Sequence, residues 1–113
     1  MARSGNFEIR EQAAEPTLVL AVTGELDMNT AELLAAEVEQ HLAGGTTRLK
    51  LNLGELGFMD SSGLRLLIEL YDRSKRENWE LTLIPPRDES AIMVLRATGA
   101  DDALPFEPNG DPS

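Results

Sequence analysis

Two hydrophobic periods alternate along this chain, and the places where one gives way to the other outline the secondary structure. Phe7-Glu8-Ile9-Arg10 alternates apolar and polar, which predicts a strand. A turn follows over residues 13–16. Residues 17–23, TLVLAVT, form a nearly continuous apolar run that reads as a buried strand, paired with the first in an antiparallel hairpin. Gly24 is expected to end that strand. Asn29 and Glu32 have the spacing of a capping box, and Leu34, Val38 and Leu42, with Ala31 and Ala35 alongside, make a helical stripe that Gly44-Gly45 stops.

Residues 48–53 alternate again and predict a third strand. The intervening helix makes it parallel to the second through a right-handed crossover. Leu64, Leu67, Ile68 and Tyr71 then recur at helical spacing, with Leu66 and Leu70 widening the stripe, and predict a helix over 62–77. Trp79 is expected to pack between that helix and a fourth strand at 80–84, which Pro85-Pro86 ends. Asp88 begins a third helix carrying Ala91, Val94 and Leu95 inward, and Gly99 stops it. Residues 103–106 are expected to form a short last strand. The expected fold is α/β: a single domain over 1–106, with a small mixed β-sheet covered by amphipathic helices in the order β-β-α-β-α-β-α-β. The polar residues 107–113 are expected to be a disordered tail.

Composition narrows the function. The 113 residues carry 20 acids against 10 Lys and Arg, a formal charge of -10. Such a surface repels phosphate backbones and anionic lipid, so neither direct nucleic-acid binding nor membrane binding is expected. A basic protein partner would be attracted. Cysteine is absent and His41 is the only histidine, which excludes thiolate and multi-histidine metal sites. Without a signal-like or membrane-length apolar segment, a cytoplasmic location is expected.

The candidate chemistry lies in two polar motifs that follow apolar strands. One is Gly24-Glu25-Leu26-Asp27-Met28-Asn29-Thr30, the other Asp60-Ser61-Ser62-Gly63. If their strands are parallel, both loops emerge at the same sheet edge, where open α/β sheets place their sites. Asp27, Asn29, Thr30, Asp60, Ser61 and Ser62 would then share one polar patch, with Met28 and Met59 as flexible apolar neighbours. A serine before an apolar helix is usually a cap. The free N–H groups of a helix start also suit a phosphoryl group, and Gly63 would let a bulky partner approach the backbone. The two serines allow both roles, Ser62 at the helix start and Ser61 outward. A nucleophile elbow is disfavoured: the flanking glycines are missing and His41 suits a helix end better than a general base. Glu25, Asp27 and Asp60 lack the phosphate-cradling loop of a Mg²⁺ site, so no cofactor or metal is expected.

Two stretches, TGELDMNTAELL and LNLGELGFMDSSGLRLLIEL, with LRATG at 95–99, resemble the STAS domain, and within it the bacterial anti-sigma factor antagonists. The resemblance implies a non-enzymatic partner switch. The unmodified protein would bind an anti-sigma factor with serine kinase activity and free the sigma factor. Phosphorylation of Ser61 would switch binding off, and a serine phosphatase would restore it. The implied interface is Asp27, Asn29, Thr30, Asp60, Ser61, Ser62 and Gly63. The family's other members imply an alternative, an unphosphorylated module acting as scaffold in a stress-sensing or transport complex. The family also implies a C-terminal helix, which EPNGDPS is not expected to form.

Overall fold

A computed structural model describes residues 2–4 and 6–107. The elements are β1 (Ala2–Ser4), β2 (Phe7–Ala14), β3 (Thr17–Leu26), α1 (Met28–Ala43), β4 (Arg48–Asn52), β5 (Leu56–Met59), α2 (Ser61–Glu77), β6 (Glu80–Ile84), α3 (Glu89–Thr98) and α4 (Ala100–Ala103). The sheet runs β1-β2-β3-β4-β6, and β5 pairs with β3 off that path. The expected antiparallel hairpin (β2, β3) and parallel pair β3–β4 are present, and β4 also pairs in parallel with β6.

Register explains how one face becomes the core. Ile9 lies opposite Val22, Leu20 opposite Leu51, Leu18 opposite Leu49, and Leu49 and Leu51 opposite Leu81 and Leu83. Side chains alternate in direction along a strand, so these residues share a face. Ile9, Leu20, Val22, Leu51 and Leu83 are fully buried there with Leu34 and Val38 of α1 and Leu67 of α2. The opposite face carries half-exposed Lys50, Asn52 and Thr82 and exposed Arg10 and Gln12. Trp79 is buried between α2 and β6 as expected, and its indole N–H donates to Glu77 at 3.2 Å.

Several boundaries differ from the sequence reading. β2 continues to Ala14, because the turn takes only Glu15-Pro16 and residues 11–14 keep their ladder partners on β3. Gly24 does not end β3. It sits at φ +97° at a register shift, and the strand continues to Leu26. A Cβ there would lie 2.3 Å from the Asn6 carbonyl oxygen, so glycine lets the β1–β2 turn press against β3. The α2 stripe buries Leu64, Leu66, Leu67 and Leu70 as expected and adds Gly63 and Ser74, whereas Tyr71 is partly exposed and Ile68 is 48% exposed. Residues 100–103 form one helical turn, and the expected last strand is reduced to a bridge between Phe106 and Leu83. Glu107 is tied to the sheet, its N–H donating to Leu83 O at 2.8 Å and its carboxylate pairing with Lys50. The remainder of the expected tail, 108–113, lies outside the described residues.

Candidate functional site

β5 is the element that assembles the site. After β4 the chain turns and pairs in parallel with the last part of β3, Leu26 opposite Met59. The Asp60 N–H donates to Leu26 O at 3.2 Å. The next residue on each strand, Asp27 and Asp60, therefore leaves the same sheet edge, and each starts a helix. The two motifs come together as expected.

Asp27, not Asn29, caps α1. Its Oδ1 accepts from the N–H groups of Asn29 and Thr30, both at 3.0 Å, while Thr30 Oγ1 accepts from the Asp27 N–H at 2.8 Å. Thr30 Oγ1 also donates to Glu25 O at 2.6 Å, which fastens the helix start to the end of β3. A threonine hydroxyl thus completes the box expected of Glu32, two residues earlier. The Thr30 N–H, with smaller help from the Thr30 hydroxyl and the Asn29 N–H, holds the Asp27 carboxyl below its ordinary value.

Asp60 caps α2, with Oδ1 accepting from Ser62 N–H at 2.8 Å and Gly63 N–H at 3.4 Å. Neither serine is the cap. The amides expected to welcome a phosphoryl group are already taken by Asp60. Ser61 is the first helical residue and is exposed, and Ser62 is half-buried. Gly63 is buried and faces inward rather than toward a partner: a Cβ there would lie 2.8 Å from Leu26 Cγ and 2.8 Å from Met59 Cγ. It lets the first turn of α2 settle on the ends of β3 and β5. Thr30 is buried as well, so Asn29 and Ser61 are the exposed members of the patch, with Asp27, Asp60 and Ser62 partly exposed.

An apolar rim surrounds this acidic centre. Met28 is 66% exposed and Phe58 40% exposed, and a shallow groove beside Ser61 is lined by Leu64, Arg65, Ile68 and Glu69. Met59 belongs to the core instead of the rim. Phe58 and Ile68 are surface positions that periodicity alone assigned elsewhere or passed over; β5 buries Leu56 and Met59, three residues apart, because the register shifts at Gly57, and Phe58 lies opposite exposed Glu25. His41 lies in the last turn of α1, about 20 Å along the helix from Asp27 at 1.5 Å per residue, and does not approach the serines.

The family model of the STAS domain matches residues 7–111. Among solved structures, an anti-sigma factor antagonist from Mycobacterium paratuberculosis is 25% identical, with a TM-score of 0.78 over 93% of this chain and 88% of that one. The anti-sigma factor antagonist SpoIIAA in its unphosphorylated form is 23% identical, with a TM-score of 0.69 over 90% of this chain and 88% of that one. The Bacillus cell fate determinant SpoIIAA in the phosphorylated form is also 23% identical, with a TM-score of 0.64 over 90% of this chain and 91% of that one. These two are likenesses of fold.

Proposed function

This chain belongs to the STAS domain family, and from that premise we propose that it is a cytoplasmic anti-sigma factor antagonist, a binding protein rather than an enzyme. In this reading the unmodified patch at the starts of α1 and α2 docks on an anti-sigma factor with serine kinase activity, and that factor's sigma factor is released. The kinase phosphorylates Ser61, which ends binding, and a serine phosphatase restores it.

The observation that carries the reading is the placement of Ser61. It is exposed at the first position of α2 while Asp60 already accepts from the amides that follow. A phosphoryl group there would gain little from the helix start and would add about -1.5 to -2 charges beside an existing carboxylate. Like-charge juxtaposition in an interface costs several kcal/mol, which is on the order of 10² to 10⁴ in affinity. The switch therefore acts through charge and leaves the core alone. The reading is supported by SpoIIAA, which shares this fold and is solved in both an unphosphorylated and a phosphorylated form. Among the described residues no helix is long and apolar enough to cross a membrane.

The test is retention of the anti-sigma partner by immobilised wild type, Ser61→Ala and Ser61→Asp, with intact mass measured after incubation with ATP. Wild type should gain one phosphate and lose the partner. Ser61→Ala should stay unmodified and bound, and Ser61→Asp should bind weakly. Phosphate on Ser61→Ala would refute the site. Binding without any phosphorylation would favour the scaffold-module alternative.

A further inference from the structure

A second cluster of chemistry-bearing side chains lies away from the patch, where a side chain from the last turn of α1 meets one from β2. Glu37 and His41 are one turn apart on α1, so both project from one side of the helix. Glu11 lies opposite Leu20 in the hairpin, which places it on the helix-covered face of the sheet. All three meet: His41 Nε2 is 3.1 Å from Glu11 Oε2 and 3.2 Å from Glu37 Oε2, and the three donor atoms lie within 4.8 Å of one another. Among the described residues this is the grouping of His and acidic donors close enough to hold a metal ion.

We propose that Glu11, Glu37 and His41 form a binding site for zinc(II). Tetrahedral zinc at bond lengths of about 2.0–2.2 Å keeps neighbouring donors about 3.3–3.5 Å apart, so the two His41–carboxylate separations need little adjustment. Two carboxylates and a neutral imidazole offer two negative charges to a divalent cation. The mixed N/O donor set selects against hard cations: magnesium and calcium prefer all-oxygen ligands. Burial is graded across the site. The Glu37 side chain is 10% exposed, His41 21% and Glu11 53%, which anchors the metal on the helix and leaves a solvent-facing fourth position for water. Bound zinc would tie β2 to the C-terminal half of α1. Glu37 lies about 15 Å along the helix axis from Asp27, so the site is separate from the partner patch.

The experiment titrates zinc chloride into the full chain at about pH 7.5, with calorimetry and proton NMR of His41. His41 is the only histidine, so the imidazole resonances report on one residue. One equivalent should bind, the His41 resonances should shift, and the thermal midpoint should rise with zinc. Magnesium should leave the imidazole unchanged. His41→Gln and Glu11→Gln should each weaken binding about 10-fold or more, since even indirect ligand supports are worth that much. Glu11 is exposed on a strand, so its variant keeps the test usable if His41→Gln folds poorly. The proposal falls if zinc leaves the His41 resonances unmoved, which would mean an imidazole simply paired with two acids. It falls equally if Glu11→Gln binds zinc as tightly as wild type.

Discussion

Gly63→Ala is the substitution that most directly probes how the site is seated. Gly63 is in a helix, and replacing glycine by alanine within a helix ordinarily stabilises by up to about 1 kcal/mol. Here the added methyl would meet Leu26 Cγ and Met59 Cγ at 2.8 Å and Leu26 Cδ2 at 2.9 Å. Leu26 is 0% exposed and Met59 1% exposed, so neither has free space beside it. Overpacking costs about 1–3 kcal/mol, and with two buried side chains met below 3.0 Å the upper half of that range applies; less a helix gain of about 1 kcal/mol, it leaves a net loss of about 1–2 kcal/mol. At about 2.1 cal/mol/K per residue for the unfolding entropy, that lowers the thermal midpoint by about 4–8 °C. Urea unfolding followed through Trp79, the only tryptophan, measures the loss. A double-mutant cycle sharpens it. Leu26→Ala alone should cost about 2–5 kcal/mol, but in that background Gly63→Ala should cost under about 0.5 kcal/mol, because Met59 can swing into the vacated volume. If Gly63→Ala is neutral or stabilising in the wild type, or costs the same in both backgrounds, the inward seating of this turn is refuted.

Two further outcomes follow from the caps and the rim. The carboxyls of Asp27 and Asp88 are held below the ordinary 3.8, by the Thr30 N–H first in one case and by the Ser90 hydroxyl first, then the Ala91 N–H, in the other. A depressed folded value means that the unfolded chain takes up the proton first, so this stabilisation is complete well above pH 3.8 and is lost as pH falls through the lower folded values. Asp27→Asn with Asp88→Asn keeps acceptors at both caps but removes the titration, and urea midpoints should then fall less steeply from about pH 5 to 3 than in wild type; an unchanged acid limb would contradict this. Ile68→Ser should change stability by no more than about 0.5 kcal/mol, since the side chain is half in solvent, yet weaken anti-sigma partner binding about 10-fold or more; full affinity by surface plasmon resonance would remove Ile68 from the interface.

Legibility in the sequence tracked the length of each pattern. The hairpin, the parallel crossover and the three longer helices rest on stretches where many residues agree, and all are present. Short elements were lost. β5 has four residues, two glycine-flanked, and its partner is the far end of β3, so no local period announces it. The juxtaposition of the two motifs was nevertheless readable, because parallel strands release their loops at one edge whichever strand carries the second. Single-residue roles were harder. Asn29 and Asp27 are equally good caps by type, and only the bonds from Thr30 to Asp27 and Glu25 decide between them. Ile68 fits the helical period of Leu64 but lies on the flank that the sheet does not reach. The grouping of Glu11 with Glu37 and His41 joins a strand to a helix, a relation that becomes visible only once register is known.

β3 divides its length between two parallel neighbours, β4 along residues 18–21 and β5 from Gly24 onward. Residues 53–55 carry the chain from one to the other. β5 meets β3 with Leu56 opposite Gly24, Phe58 opposite Glu25 and Met59 opposite Leu26, so one residue added or removed there would displace all three pairs. Leu56 and Met59 would be drawn off the buried positions they fill, and Asp60 would shift relative to the α2 amides it caps. What is constrained in this stretch is the number of residues as well as the identity of Leu53, which is fully buried. An insertion or deletion between β4 and β5 should therefore cost more than a substitution at exposed Glu55.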